Sequence, residues 1–116
     1  MPFIETFLFE KDKKKLKKIN DLISKNILKI FNTKHNTITI YNNIIKKENF
    51  YHNFRINNPE KRIFIKISAL KRTQKKKQKL AKLIISGLKK IIRVKHPSNI
   101  AVYFYDRSIA DIYHGT

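Results

Sequence analysis

The 116-residue chain has no cysteine, two glycines, three prolines and only 8 acidic residues. Without cysteine there are no disulfides, no thiolate metal sites and no cysteine nucleophile. His35, His52, His96 and His114 are widely scattered, so no metal cage is expected and no cofactor is implied. No apolar run approaches the ~20 residues that span a bilayer. The opening Met-Pro-Phe-Ile-Glu-Thr lacks a basic segment followed by an apolar one, the pattern of a secretory signal. A single soluble, cytoplasmic domain covering 1–116 is the expectation from these absences and this length.

What is present is positive charge. Lys and Arg number 27 against the 8 acids, for a net charge of +19. That balance suggests a polyanionic partner, nucleic acid first and an anionic membrane surface second. The richness in Lys, Ile, Asn, Phe and Tyr, residues with A/T-rich codons, supports a competing reading in which solvated faces drifted toward lysine. Drift accounts less well for the scarcity of Asp and Glu, and both readings stand at this point.

Two helical patterns are clear. Leu16, Ile19, Leu22, Ile23, Ile27, Ile30 and Phe31 form one apolar stripe, and Leu80, Leu83, Ile84, Leu88, Ile91 and Ile92 form another. Each stripe has a Lys-rich outer face, and Asp12 and Thr73 stand where N-caps belong. The second pattern repeats the first at an offset of 61, which also pairs Phe3 with Phe64, Ile4 with Ile65 and Lys11 with Arg72. After one inserted residue near Pro97 the offset is 62, pairing Ile38 with Ile100, Ile40 with Val102 and Tyr41 with Tyr103. It ends by matching Tyr51-His52 to Tyr113-His114. Apolar residues at helical spacing match by chance; an identical Tyr-His pair in the same register marks a duplication.

Period-two alternation at 37–41, 63–68 and 100–105 predicts strands, and the more continuously apolar 2–9 predicts a fourth. Each half therefore reads strand–helix–strand, with the helix as a crossover between parallel strands. The expected fold is α+β: two tandem β-α-β units forming a four-stranded sheet with two helices on one face. The pseudo-repeats span about 2–54 and 62–116, joined by a linker at about 55–61. Phe64, Tyr41, Tyr103 and Tyr105 fall on the uncovered face, which predicts oligomerisation through the sheet.

Pro2 matters if Met1 is removed, which a proline at this position permits. The exposed secondary amine has a reference pKa of roughly 7.7–8.0, and desolvation in an apolar site pushes it lower. Such a group is a general base near neutral pH. The competing reading is that proline at position 2 is common and inert.

A chain opening Met-Pro and built from two such units resembles the tautomerase superfamily, which includes 4-oxalocrotonate tautomerase, malonate semialdehyde decarboxylase and macrophage migration inhibitory factor. Pro2-Phe3-Ile4 is similar to the family's opening strand with its catalytic proline. Ile67-Ser68-Ala69-Leu70-Lys71-Arg72 resembles the strand-to-helix turn that often carries an arginine. Glu48-Asn49-Phe50 resembles the acidic-Asn-aromatic corner after the second strand, and the stretch from Gly87 to Asp106 resembles the closing helix and strand of the migration-inhibitory-factor group.

The resemblance implies a homotrimer and a small 2-oxo or enol carboxylic acid as substrate. Pro2 would move the proton; Arg72, at the matching turn, would grip the carboxylate bidentately. Lys34, which resembles the lysine after the first helix in the migration-inhibitory-factor group, is the second cation. Arg55 and Arg107 are further substrate-binding candidates without a motif behind them, and for any single lysine the competing reading is a solvated surface charge. Tyr103 would donate a hydrogen bond to a developing enolate, against an aromatic packing role, and Phe50 would wall the pocket or simply pack. Ile63 stands where the second unit would need its proline, so one amine site per chain is the maximum. A decarboxylase or hydratase variant would instead use protonated Pro2 as a general acid.

The alternative is a non-catalytic binder of nucleic acid or another polyanion on the same scaffold, through Lys13-Lys14-Lys15-Leu16-Lys17-Lys18 and Lys75-Lys76-Lys77-Gln78-Lys79. No recognition-helix, zinc-finger or RNA-binding aromatic motif accompanies these runs, so sequence-specific readout is not expected. A membrane-surface role is not expected either, because both helices need their apolar faces for the core.

Overall fold

Asp12 opens the first helix. In the computed structural model, which describes residues 2–33, 37–94, 96–111, 113 and 115, its carboxylate accepts the backbone N–H groups of Lys14 at 2.8 Å and Lys15 at 3.2 Å. Helix α1 then runs Lys13–Phe31. Thr73 serves α2 (Gln74–Ile91) in the same way, accepting the N–H of Lys76 at 3.3 Å. These acceptors satisfy donors that a first helical turn leaves unpaired. Neither first turn carries an acid, so its lysines sit against the helix dipole and burial of the opposite face must hold the helix. Ile19, Ile23, Ile27, Ile30 and Phe31 of α1 and Leu80, Ile84 and Leu88 of α2 supply that burial.

The strands are β1 (Phe3–Leu8), β2 (Thr39–Ile44), β3 (Tyr51–His52), β4 (Arg55–Ile56), β5 (Ile63–Leu70) and β6 (Ile100–Arg107). Four form one sheet in the order β2-β1-β5-β6. β1 and β2 are parallel, β5 and β6 are parallel, and β1 meets β5 antiparallel. Ile4, Leu8, Ile63, Ile65, Ile67, Ala69 and Ile100 join the helix residues in one buried cluster. Both helices therefore cover the same face, as the duplication predicts.

The repeat is visible in the register. Ile4 pairs with Ile40, and their counterparts Ile65 and Val102 pair in turn. The two units meet about a pseudo-twofold axis through Glu5 and Lys66, which are each other's counterparts and also partners across the β1–β5 ladder. An unaltered duplication would set like residues against each other there. Instead the Lys66 Nζ lies 3.8 Å from the Glu5 carboxylate and 4.6 Å from the Tyr105 ring centroid. Like charges directly opposite in a sheet are destabilising, so Glu5→Lys should lower stability by about 1 kcal/mol, read as an earlier urea midpoint with unchanged slope.

The uncovered face carries aromatics, as expected. Tyr41 and Tyr103 are 56% and 52% exposed, and Phe3–Tyr41 and Phe64–Tyr103 pack with ring centroids 5.3 and 4.7 Å apart. One element has no counterpart in the sequence reading. Where the first unit passes into the linker, β3 and β4 pair as a hairpin whose central residues Asn53 and Phe54 both have positive φ, 52° and 62°. That is the pattern of a primed turn, which ordinarily favours Asn-Gly; here Phe54 fills it and is 91% exposed.

Candidate active site

Pro2 lies at the start of a central strand, and its ring is buried. Its carbonyl accepts the N–H of Thr39 at 3.3 Å, which fixes it beside the start of β2. Phe3 pairs with Ser68, so Pro2 is one residue beyond that pair, where β5 leaves the sheet toward Arg72. Leu70 pairs with Arg107 at the same end. The antiparallel meeting of the units thus gathers Pro2, Arg72 and Arg107 at one end of the sheet.

Arg72 is already engaged. Its Nη1 donates to the carbonyls of Leu70 at 2.7 Å and Lys71 at 3.3 Å, and Nη2 donates to the carbonyl of Phe31 at 3.2 Å. The guanidinium lies 5.0 Å from the Phe31 ring centroid. It therefore ties the β5–α2 turn to the end of α1, and its remaining N–H groups are enough for one carboxylate. Arg72→Ala should cost about 2 kcal/mol of stability through lost charged hydrogen bonds and stacking. Arg72→Lys should restore less than half of it, because an ammonium lacks the planar fork; urea unfolding of both variants checks this.

The other candidates do not all join this end. Tyr103 lies in the mid-strand row Glu5–Lys66–Tyr103, so it stands away from the sheet end that Pro2 occupies; Arg107 shares its face but stands at that end. Phe50 packs edge-on against Phe9, with centroids 5.0 Å apart, just past the far end of β1. Arg55 pairs with His52 in the hairpin at that far end. The six residues of β1 separate the two ends by roughly 17 Å, so a chain's own Phe50 and Arg55 do not line its own Pro2. Lys34 and His114 lie outside the described residues.

Sequence reasoning passed over Ser68. It sits in the row Phe3–Ser68–Tyr105 beside the proline end, is 4% exposed, and its buried Oγ has no hydrogen-bond partner. Its position among the aromatics of the uncovered strands was the available signal, because a small hydroxyl there covers nothing. Among the described residues no group of three His, Asp or Glu side chains is arranged to hold a metal ion. No helix among them is long and apolar enough to cross a membrane.

No protein-family model matches the sequence, and no curated protein matches it. Solved structures do match. The F6 fused 4-OT wild-type asymmetric trimer superposes with a TM-score of 0.87 at 12% identity, over 97% of this chain and 92% of that one. FG41 malonate semialdehyde decarboxylase inhibited by 3-bromopropiolate gives 0.79 at 13% identity, over 98% and 89%. N1, a member of the cis-3-chloroacrylic acid dehalogenase family, gives 0.82 at 16% identity, over 97% and 79%. The likeness is one of architecture: this chain has the tandem β-α-β fold of the fused, two-unit proteins of the tautomerase superfamily.

Proposed function

We infer that this chain is a proton-transfer enzyme of the tautomerase type, acting on a small 2-oxo or enol carboxylic acid. The observation that carries the reading is the buried start of β1, where Pro2 shares one sheet end with Arg72 and Arg107. With Met1 removed, the neutral Pro2 amine takes a proton from the carbon alpha to the substrate carbonyl. The C–H electrons pass into the carbonyl, leaving an enolate whose oxygen carries the charge. The protonated amine then delivers the proton to the enolate oxygen, giving the enol, or to a conjugated carbon, giving the isomer. Arg72 and Arg107 hold the carboxylate throughout and offset part of the enolate charge.

Two of the similar proteins are named for chemistry on three-carbon acids or their semialdehydes, and the fused 4-OT is a trimer. A homotrimer of this chain through the aromatic sheet face would cover Tyr41, Tyr103 and Tyr105. It would also let Phe50 and Arg55 of one copy approach the Pro2 of another, which no single chain can achieve. Intact mass of the purified protein and its rate of phenylpyruvate enolisation test the reading together. The expected mass lacks one Met residue and enolisation exceeds the buffer rate; retention of Met1 on the active protein would overturn it.

A further inference from the structure

The duplication gives the chain a second sheet end. There Ile63 is the counterpart of Pro2, so no proline amine stands at that end. It nevertheless carries a cavity of about 700 Å³, within the range of small-molecule sites. Ile63, Ile91, Ile92 and Val94 supply apolar wall, and Lys61, Lys89, Lys90 and Arg93 bring positive charge to it. Arg93 stands where the first unit has Asn32, so the second unit gained charge at a position that the first left neutral.

Glu10 and Lys15 also line the cavity. The Glu10 carboxylate is occupied, lying 3.7 Å from the Lys15 Nζ and accepting the backbone N–H groups of Lys11 and Asp12. Lys89, Lys90 and Arg93 form no ion pair with a described residue. The second observation is Asn99, which also lines the cavity. Asn99 is 3% exposed, and its buried Nδ2 has no hydrogen-bond partner. A buried amide N–H without an acceptor costs roughly 1–3 kcal/mol, and a turn of the Asn99 side chain toward the cavity it lines would bring that N–H to a ligand oxygen.

We propose that this end of the sheet is a binding site for a small, multiply charged oxyanion, held by Lys61, Lys89, Lys90 and Arg93 with Asn99 Nδ2 donating to one of its oxygens. The site is separate from Pro2, because β1 and β5 run antiparallel and put Pro2 and Ile63 at opposite ends. It is also independent of Met1 removal. Donors without an internal acceptor, cations in excess and an apolar wall together fit a phosphate ester or a polycarboxylate, and fit a cation or a neutral apolar molecule poorly.

Calorimetry with pyrophosphate and, separately, citrate at fixed ionic strength tests this. The expected result is saturable binding of at least one of them at one site per chain. A Lys89→Ala/Lys90→Ala/Arg93→Ala variant should lose at least tenfold in affinity. A control removing the same charge from the outer face of α1, Lys17→Ala/Lys18→Ala/Lys25→Ala, should stay within twofold of the parent. Saturation with one anion alone identifies which chemistry the site prefers. In the parent protein the Asn99 side-chain amide resonance should move on titration. Non-saturable binding, equal loss in the two triple variants, or an unmoved Asn99 amide would each overturn the proposal.

Discussion

Pro2→Ala should lower the rate of phenylpyruvate enolisation by about 100-fold or more, the contribution of a positioned general base. The variant is informative because it should fold. The contact that anchors residue 2 in the sheet is its carbonyl, which accepts the N–H of Thr39, and alanine keeps that carbonyl. Alanine is also small enough for Met1 to be removed, so an amine remains. What changes is its nature and its freedom: the ring that ties the nitrogen to the side chain and fixes its direction is gone, and the amine becomes primary and mobile. A base that must be neutral loses activity as acid protonates it, so the parent's rate should fall toward low pH and the variant's profile should differ. Steady-state rates across pH, with circular dichroism to confirm folding, check this. A variant within twofold of the parent would remove Pro2 from the mechanism.

Ile19→Ala and Leu80→Ala should each cost about 2–5 kcal/mol, the range for emptying a fully buried aliphatic site. Both side chains are essentially inaccessible, at 1% and 0% exposure, and they are counterparts one repeat apart. Domains of this size have total stabilities of about 5–15 kcal/mol, so the double variant should be largely unfolded at 37 °C. Because the two sites occupy equivalent places under α1 and α2, their individual costs should agree within about 1 kcal/mol. Urea unfolding of the single variants decides the point. A cost below about 1 kcal/mol at one site only would mean that the second core is not a copy of the first.

The repeat was legible in the sequence because it left matching residues at an offset of 61, then 62 after one inserted residue, and the ladders Ile4–Ile40 and Ile65–Val102 pair those counterparts in space. The caps at Asp12 and Thr73 were legible because they depend on residues within one turn. The antiparallel meeting of β1 with β5 was not, because no local pattern states which edges of two equivalent units will join. For the same reason the sequence could nominate Pro2, Arg72, Phe50 and Arg55 but could not sort them to opposite ends of the sheet. The engagement of Arg72 with the Phe31 carbonyl depends on a contact 41 residues away. The hairpin escaped notice because Phe54, in the left-handed region, carries none of the usual chemistry of a turn residue.

The Glu5–Lys66 pair has a consequence for assembly. Two related units in one chain can in principle each seek their own kind on another chain, joining first unit to first unit and second to second, and so linking molecules into open chains. At the axis such pairings would set Glu5 against Glu5 or Lys66 against Lys66. Only the mixed pairing brings opposite signs together. The two charges therefore act as an address, directing first units to second units and penalising the like-with-like pairings that would link molecules into open chains.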